Sequence, residues 1–337
     1  MAKRDIIVIG GSTGSSAVLK TLLAGLPKEL PASLFITTHV PSNTPTHLAE
    51  VLSRAGAFPV TRAVHGQPIE PGNAYVACAD RHLLLVDSTI HLGTGPRENM
   101  VRPAIDPMFR SAALSYGPRA VGVVLTGMMN DGASGLHAIA ASGGTTVVQH
   151  PLDAEAEDMP RAALEAVDAD YVARGDELAG LITDIVRTDA PSATTQPSEE
   201  LMFEVDVAAG APVGSARLRE IATPSPLTCP DCHGVLSEVV GSKPLRYRCQ
   251  IGHGFSAEVL AARNDQVDEA IRVAMRVMEE RVELVARMGR DARETGRTAV
   301  AELYEQRAAE YERYAITLRE AALLNLRMSR TAGEQPA

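Results

Sequence analysis

Apolar and polar residues alternate along the first 190 residues in a pattern that predicts strands separated by helices. Runs of β-branched and aliphatic residues indicate buried strands at residues 6–9, 34–38, 120–126 and 145–149, with a short one at 170–172. Apolar residues at helical spacing predict helices near residues 17–23, 44–52, 105–115, 133–142, 159–167 and 177–186. This alternation predicts βαβ units, and therefore a doubly wound, mostly parallel sheet with helices on both faces.

The section between residues 59 and 92 departs from that pattern. Short apolar runs are separated by turn residues, and the runs at 83–86 and 90–92 flank Asp87-Ser88-Thr89 as the two strands of a hairpin would. We therefore predict a small antiparallel edge in this part of the fold. For the second helix, at 44–52, we expect a cap near Ser42 or Asn43 after Pro41 has ended the strand.

The pattern changes again after residue 188. Residues 189–200 are rich in Ser, Thr and Pro, which predicts a flexible linker that extends to residue 226. From residue 258 onward apolar residues recur at helical spacing, interrupted by a polar break at residues 293–297. After residue 297 the apolar residues are spaced alternately by four and three positions, as in a coiled coil. They are Tyr304, Ala308, Tyr311, Ala315, Leu318 and Ala322.

Four parts follow from these patterns. We expect an α/β domain at residues 1–188, the linker at 189–226, a small cysteine-containing module at 227–256 and an antiparallel helical hairpin at 257–330. The two helices of the hairpin can pack on each other, form a homodimer with a second copy, or dock a partner.

Charge and hydropathy narrow the class of protein. The net charge of −10 argues against a general nucleic-acid or anionic-membrane surface. The N-terminal apolar run is too short for a signal peptide, and no later run is long enough to span a bilayer. We therefore predict a cytoplasmic protein without nucleic-acid binding or membrane insertion.

Polar side chains follow three of the predicted strands. Ser12 stands in a glycine-rich turn after the first strand, His39 follows the second, and Asp131 lies in the loop after the strand at 120–126. A parallel sheet brings the carboxyl ends of its strands to one edge. Each residue alone is explained by ordinary structure, as a helix cap, a structural histidine or a turn residue. Together they favour a nucleophile, its base and the partner that orients the base.

The glycines around Ser12 also allow a second interpretation, in which they hold the phosphates of a dinucleotide. Such folds usually place an acidic residue at the end of the second strand to bind the ribose. This chain has Thr37-Thr38-His39 there, and Gly10, Gly11 and Gly14 do not match the strict G-x-G-x-x-G spacing. The nucleophile interpretation is therefore favoured over the dinucleotide one.

Three of the four cysteines, together with a histidine, form two closely spaced pairs. Cys229 and Cys232 form a C-x2-C pair, and Cys249 and His253 a C-x3-H pair sixteen residues further on. This spacing is typical of a zinc ribbon, and four protein ligands leave no open position for catalysis. We predict one structural zinc and no catalytic cofactor. His233 competes with His253 as the fourth ligand, and His253 is preferred because it completes the second pair.

Several motifs, in order, resemble the chemotaxis receptor methylesterase family, known as the CheB catalytic domain. They are Gly11-Ser12-Thr13-Gly14, His39-Val40-Pro41, Arg102-Pro103 with Asp106, Leu125-Thr126-Gly127-Met128, and Asp131-Gly132-Ala133. The resemblance covers roughly residues 4–186. It implies a Ser–His–Asp triad on a doubly wound α/β domain, with Ser12 as nucleophile, His39 as base and Asp131 as its partner. It also implies backbone N–H groups near Thr13 and Met128 that would hold the oxyanion.

The same resemblance implies an activity and a substrate. The family hydrolyses glutamate γ-methyl esters on chemoreceptors, and some members also deamidate glutamine. The chain departs from the family pattern at Met129, where Gly is usual, at His150, where Asp is usual, and at Asp158, where Gly is usual. These departures bear on the substrate groove. Stand-alone members of the family can carry a similar C-terminal extension with CxxC and C-x3-H motifs.

Two hypotheses follow. In the first, the chain is a cytoplasmic serine esterase that acts on glutamate methyl esters of a chemoreceptor-like protein. In the second, it is a non-catalytic binding or scaffold protein of a chemosensory-type system, acting through its zinc ribbon and helical hairpin. Because the sequence begins at the first strand of the α/β domain, we also expect no receiver domain and no control by phosphorylation of one.

Overall fold

A parallel sheet of seven strands organises the first part of the computed structural model, which describes residues 2–39, 47–192, 196–262 and 265–331. The first nine strands are β1 Ile6–Gly11, β2 Ser33–Thr38, β3 Val60–Arg62, β4 Ala74–Val76, β5 His82–Val86, β6 Thr89–Gly93, β7 Ala120–Val124, β8 Thr145–Gln149 and β9 Tyr171–Ala173. All except β5 and β6 form the sheet, in the order β3-β4-β2-β1-β7-β8-β9, and every neighbouring pair is parallel.

Six helices cover the two faces of this sheet. They are α1 Ser15–Gly25, α2 Leu48–Ser53, α3 Ile105–Tyr116, α4 Ala133–Ala141, α5 Asp158–Ala166 and α6 Leu178–Arg187. Alternate strand residues face opposite sides: Ile6 and Val8 belong to the core beneath α3, α4 and α5, whereas Ile7 and Ile9 belong to the core beneath α1, α2 and α6. The predicted doubly wound fold is therefore confirmed, and the strands and helices of this part lie close to their predicted positions. The predicted cap near Ser42 and Asn43, and Pro41, lie outside the described residues.

The order of the strands explains where a site forms. From β1 the chain runs outward through β2 on one side and returns to β7 on the other side, so that the direction of winding reverses at β1. Doubly wound folds bind ligands at such a reversal, beyond the carboxyl ends of the strands. The turn after β1, the end of β2 and the loop after β7 meet at this place.

The predicted antiparallel edge between residues 59 and 92 is correct only in part. Strands β5 and β6 form the expected antiparallel hairpin, as a separate two-stranded sheet. Strands β3 and β4 instead join the main sheet in parallel, with Ala74 opposite Leu34 of β2. The residues of β4 are fully buried, and burial on both faces is characteristic of a parallel strand rather than of an antiparallel edge.

The prediction of a flexible linker over residues 189–226 is wrong from residue 199 onward. This segment contains α7 Glu199–Ala209 and α8 Ser215–Ile221. The hydroxyl of Ser198 caps α7 by accepting from the N–H of Leu201 at 3.1 Å, and Gly210, with φ of 115°, ends it. Helix α7 packs against α3 and the β5–β6 hairpin and buries apolar side chains that the Ser- and Pro-rich composition of the preceding residues obscured.

The cysteine-containing module is a four-stranded antiparallel sheet. Its strands are β10 Ala222–Thr228, β11 Val235–Val239, β12 Arg246–Cys249 and β13 Gly254–Ser256, followed by the short helix α9 Ala257–Ala261. The chain divides into two units, Met1–Leu260 and Ala261–Ala337, so that this module belongs to the same unit as the α/β domain. We call residues 222–260 the ribbon module.

The second unit contains α10 Asp265–Glu294 and α11 Thr298–Thr331. Arg293 pairs with Glu305 at 2.7 Å and Arg319 pairs with Glu279, a pattern that requires antiparallel helices, as predicted. The predicted apolar positions of α11 form its less exposed face, on which Ala315 is buried. Dimerisation through these helices stays a prediction. Among the described residues, no helix is both long enough and apolar enough to cross a bilayer.

Candidate active site and metal centre

The turn that carries Ser12 is held by hydrogen bonds to both backbone polar groups of Ser12. The N–H of Ser12 donates to the carbonyl of Thr126 at 2.9 Å, and the carbonyl of Ser12 accepts from the hydroxyl of Ser15 at 2.6 Å. Gly14 has φ of 78°, which favours glycine. A Cβ at Gly127 would lie 2.9 Å from the Cβ of Ser12, so that the opposite loop approaches the serine closely only because it has no side chain there.

Ser12, His39 and Asp131 form a continuous hydrogen-bonded row. Nδ1 of His39 lies 3.0 Å from the hydroxyl oxygen of Ser12, and Nε2 lies 2.7 Å from Oδ2 of Asp131. A carboxylate accepts hydrogen bonds, so Nε2 bears the proton and Nδ1 is left to accept the proton of Ser12. The structure therefore brings together all three residues that the strand ends predicted.

Asp131 is buried, yet its environment favours the charged form. Its Oδ2 also accepts from the N–H of Ile105 at 2.7 Å, and its Oδ1 accepts from the N–H of Asp106 at 3.2 Å. These are the free N–H groups in the first turn of α3, where the helix dipole stabilises an anion. Burial alone would raise the pKa of Asp131, but the hydrogen bond and charge of His39, with the two N–H groups, lower it.

Asp106, one position along α3, behaves in the opposite way. Its Oδ1 accepts from the N–H groups of Gly132 at 3.0 Å and Gly135 at 2.7 Å, which caps the start of α4. Burial, and then the neighbouring charge of Asp131, raise the pKa of Asp106 to about 7. The two carboxyl groups therefore tie α3 and α4 to each other, and only Asp131 has a histidine partner.

The backbone groups predicted to hold an oxyanion lie in the two loops that flank Ser12. Thr13 follows Ser12 directly, and Met128, whose side chain is 58% exposed, lies in the loop after β7. Within the described part of the chain, neither backbone N–H donates a hydrogen bond. Both are therefore available to a substrate oxygen, as an oxyanion site requires.

The dinucleotide interpretation is not supported at the second strand end. The position where a ribose-binding carboxylate is expected belongs to His39, whose two ring nitrogens face Ser12 and Asp131. The glycine-rich turn after β1 therefore positions a hydrogen-bonded serine rather than the phosphates of a dinucleotide.

The predicted metal ligands also come together. One ligand atom from each of Cys229, Cys232, Cys249 and His253 lies within 4.8 Å of the others, and Cys229 and Cys249 are fully buried. The sulfur atoms of Cys232 and Cys249 are 3.6 Å apart, and Nδ1 of His253 lies 3.5 Å from the sulfur of Cys249. Tetrahedral zinc, with bonds of about 2.0–2.3 Å, would space its ligand atoms by about 3.5–3.8 Å. The four side chains therefore fit such an ion.

Neighbouring groups complete this cluster. Nε2 of His253 lies 4.0 Å from a carboxylate oxygen of Asp231, the kind of partner that orients a ligating histidine. Burial raises the pKa of the Cys229 thiol to about 12, so that a bound cation is needed to generate its thiolate. His233, the competing ligand, is not a member of the cluster among the described residues.

Sequence reasoning missed the residues that join the ribbon module to the α/β domain. Asn130, next to Asp131, is buried and bonds through its side chain to Ser256 and Glu258 of the ribbon module. In the sequence, Asn130 appears only as part of a polar turn before Gly132. A one-dimensional pattern holds no sign that its amide faces residues of a module so distant along the chain.

A buried cluster of five charged residues forms a second junction. Arg246 and Arg248 of β12 and Arg110 of α3 surround Glu98 and Glu204, and all five side chains are almost completely buried. Distances of 2.6 Å from Arg110 and from Arg246 to Glu204, and of 2.9 Å from Arg248 to Glu98, define the pairs. The only sequence sign of this cluster is the charged residues themselves, which usually indicate a solvated surface.

The α/β domain is similar to known proteins in sequence and in structure. A family model described as CheB methylesterase matches residues 7–182, just over half of the 337 residues. The crystal structure of the Thermotoga maritima CheB methylesterase catalytic domain superimposes with a TM-score of 0.53 and 31% identity. It covers 55% of this chain and 100% of that domain.

Curated relatives share similar levels of identity. The protein-glutamate methylesterase/protein-glutamine glutaminase 2 of Anaeromyxobacter dehalogenans is 36% identical over 186 residues, 55% of this chain and 54% of the relative. A putative protein-glutamate methylesterase/protein-glutamine glutaminase of Leptospira interrogans is 37% identical over 52% of this chain and 92% of the relative. The chain thus spans about half the length of the first relative and most of the second.

Proposed function

The chain belongs to the CheB methylesterase family, and on this premise we propose that it is a serine hydrolase that removes methyl esters from glutamate side chains of a protein. Ser12 is the nucleophile, His39 the general base and Asp131 the group that orients His39. The observation that supports this most strongly is the row of two short contacts, 3.0 Å from Ser12 to His39 and 2.7 Å from His39 to Asp131.

The chemistry follows from this row. A serine hydroxyl is a weak nucleophile at neutral pH, so Nδ1 of His39 takes its proton as the oxygen attacks the ester carbonyl. The N–H groups of Thr13 and Met128 stabilise the resulting oxyanion. His39 then returns the proton to the departing methoxide, methanol leaves, and an acyl-Ser12 intermediate remains. Water, activated by His39, hydrolyses the intermediate to a glutamate carboxylate and free Ser12.

Asp131 acts through electrostatics and orientation. Its lowered pKa keeps it a carboxylate, so it stabilises the imidazolium that forms in each half of the reaction. The N–H groups at the start of α3 fix the carboxylate in place, and this limits the rotation of the His39 ring. The same site accommodates a glutamine side chain, whose amide nitrogen would leave as ammonia.

The proposed substrate is a methylated chemoreceptor or a related signalling protein, by analogy with the named activity of the relatives. The alternative, a non-catalytic scaffold, is motivated by Met129, in the loop that precedes Asp131, and by the unusual segment at residues 150–160. Met129 does adopt a left-handed conformation, with φ of 64°, but Asp131 nevertheless lies within hydrogen-bonding distance of His39. The catalytic proposal is therefore the better supported of the two.

We also propose that Cys229, Cys232, Cys249 and His253 hold one structural zinc. Four protein ligands would fill a tetrahedral shell, so the ion stabilises the ribbon module and supplies no chemistry to the ester. The esterase site at Ser12 uses only side chains and backbone groups.

A Ser12→Ala variant tests the esterase proposal. With purified full-length chain and a receptor preparation carrying labelled methyl esters, we expect methanol release by the variant to fall by at least about 1000-fold. Ser16→Ala, an exposed serine of α1, is the matched control and should keep the wild-type rate. Persistence of hydrolysis in Ser12→Ala at the rate of the control would disprove the assignment.

A further inference from the structure

The loop that carries Asp131 is held in place from the ribbon module. Both ends of the buried Asn130 amide bond to that module: Nδ2 donates to Oε2 of Glu258 at 2.7 Å, and Oδ1 accepts from the hydroxyl of Ser256 at 2.9 Å. No residue of the α/β domain, within its described part, binds this amide. The side chain directly before the proposed catalytic aspartate is therefore fixed by residues 256–258.

Met129 adds an apolar contact to the same junction. Its side chain packs against the core of the ribbon module, which includes the metal-ligand residues Cys229, Cys232 and Cys249 together with Phe255. A left-handed backbone costs free energy for any residue other than glycine, and the packing of this side chain offsets that cost. The position at which the family usually has glycine is thus used here as a contact to the metal centre.

The metal ligands are linked closely to the two residues that hold Asn130. His253 directly precedes β13, whose last residue is Ser256, and the N–H of Cys249 donates to the carbonyl of His253 at 3.0 Å. Strand β13 is also bonded to the α/β domain: the N–H of Asn99 donates to Gly254 at 2.8 Å, and the N–H of Ser256 donates to the side chain of Asn99 at 2.9 Å. An ion that fixes Cys249 and His253 therefore fixes the strand from which Ser256 reaches Asn130.

We propose that the ribbon module, when it holds its metal, positions the Asp131 loop for catalysis, and that Asn130 is the positioning residue through which it acts. This inference rests on the proposed esterase function. Without the metal, β13 and α9 lose their fixed geometry, Asn130 and Met129 lose their partners, and the loop at residues 127–132 samples arrangements in which Asp131 no longer orients His39. Displacements of about 1 Å in a catalytic group can lower a rate by roughly 100-fold.

The first test keeps the metal and removes the contact. In metal-loaded Asn130→Ala, we expect kcat for ester hydrolysis to fall roughly 10- to 100-fold with little change in KM, because the substrate contacts remain while the triad is misaligned. The metal content should stay at about one zinc per chain. Asn73→Ala, which changes a half-buried asparagine in the turn before β4, is the matched control and should leave kcat unchanged.

A conservative series separates positioning from general damage. Glu258→Gln keeps an oxygen that can accept from Asn130 and should retain most of the activity, whereas Glu258→Ala should resemble Asn130→Ala. Ser256→Ala combined with Asn130→Ala should cost less than the two single effects added together, because both changes remove the same contact. A series in which Glu258→Gln and Glu258→Ala lose equal activity would contradict the proposal.

The second test removes the metal and reads out the loop directly. Hydrogen–deuterium exchange of a peptide covering residues 127–133 should speed up in chelator-treated wild type, and readdition of zinc should restore both the protection and the esterase rate. Cys249→Ser should show the same rapid exchange, and Cys78→Ser, which changes a thiol outside the cluster, should not.

The two proposals can fail separately. If exchange at 127–133 stays as slow in metal-free wild type and in Asn130→Ala as in the loaded chain, the positioning proposal is wrong, whatever the chain hydrolyses. If the metal protects the loop but the loaded chain shows no hydrolysis that depends on Ser12, the positioning of the loop stands and the proposed esterase function is wrong.

Discussion

The Ser12 site and the Cys3His cluster lie in the same unit, but they are built in different ways. Ser12, His39 and Asp131 come from three strand ends that are far apart in the sequence, and the parallel sheet assembles them. The four metal ligands all come from residues 229–253, on two tight turns that bend toward each other. In the first site a large fold fixes the side chains. In the second, the proposed ion and its four ligands would fix a small fold.

The two sites are therefore sensitive to different kinds of substitution. A substitution at the proposed triad leaves the sheet and its two cores in place, and we expect its main effect on the rate of the proposed reaction. A substitution at the metal cluster acts on the stability of the ribbon module, which has only a small core of its own. Two junctions, Asn130 and the buried charges around Glu204, connect the two regions.

Among the substitutions that should affect the Ser12 site and not the metal cluster, Asp131→Asn is expected to have the largest effect. Asparagine keeps the size of the side chain but presents no charge to His39, so the imidazole loses its fixed tautomer and kcat should fall by about 10,000-fold. The zinc content should change little. The urea midpoint should fall modestly, because the amide NH2 of asparagine would face one of the two N–H groups that Asp131 accepts at the start of α3. The zinc content and the urea midpoint are measured by metal analysis and equilibrium unfolding on the same preparation. A loss of zinc in this variant would mean that the Ser12 site and the metal cluster do not respond independently to substitution.

The next largest effect is expected on the free energy of unfolding, when one of the buried charges that join the two regions is removed. Arg248 has no exposed side-chain area and contacts both Glu98 and Glu204. Burial would raise the pKa of each carboxyl, but the surrounding arginines lower it, so both are charged. Arg248→Ala leaves them incompletely paired and should reduce the free energy of unfolding by about 3–5 kcal/mol.

The control for Arg248 is an ion pair of similar chemistry at the surface. Arg217 pairs with Asp206 at 2.8 Å, and about half of each side chain is exposed. Arg217→Ala should cost less than about 1 kcal/mol in urea unfolding. Equal losses for the two variants would mean that the buried cluster does not hold the ribbon module to the α/β domain.

Most of the fold could be predicted from the sequence because its signals are local and repeated. The buried runs of β1, β2, β7 and β8 match the structure because they are short and mostly rich in β-branched residues. The helices between them match because their apolar residues recur at helical spacing. Strands β3 and β4 were misassigned because three-residue strands carry no periodicity, and their parallel pairing depends on distant neighbours. Helix α7 was missed because the polar stretch before it dominated the composition of the segment.

At the candidate sites, the sequence could predict which residues come together but not the contacts that surround them. The juxtaposition of Ser12, His39 and Asp131 followed from residue types at strand ends, and the Cys3His cluster followed from cysteine spacing. What could not be predicted are contacts between residues with no shared motif, such as Asn130 with Ser256 or Arg248 with Glu98. The opposite pKa shifts of Asp106 and Asp131 belong to the same class, because they depend on which carboxyl faces His39.

The smallest effect is expected from the titration of Asp106, whose pKa shifts in the opposite direction to that of Asp131. Because the pKa of Asp106 is raised to about 7, the folded protein binds its proton more tightly than the unfolded chain does between about pH 4 and pH 7. The contribution of Asp106 to stability is therefore present at acidic pH and is lost as the pH rises through this window. An asparagine at this position would keep an oxygen for the N–H groups of Gly132 and Gly135 without titrating.

The Asp106→Asn variant measures this contribution. The difference in unfolding free energy between wild type and Asp106→Asn should shift against the wild type by on the order of 1–3 kcal/mol between about pH 4.5 and pH 8, as followed by urea unfolding. Asp153→Asn is the control, because the N–H of Gly175 and the amide of Gln149 lower the pKa of Asp153. Its contribution is lost only as the pH falls below the ordinary aspartate range, so its difference should stay constant over the same pH interval. If the difference for Asp106→Asn changed with pH no more than the difference for Asp153→Asn, then burial and the charge of Asp131 would not raise the pKa of Asp106.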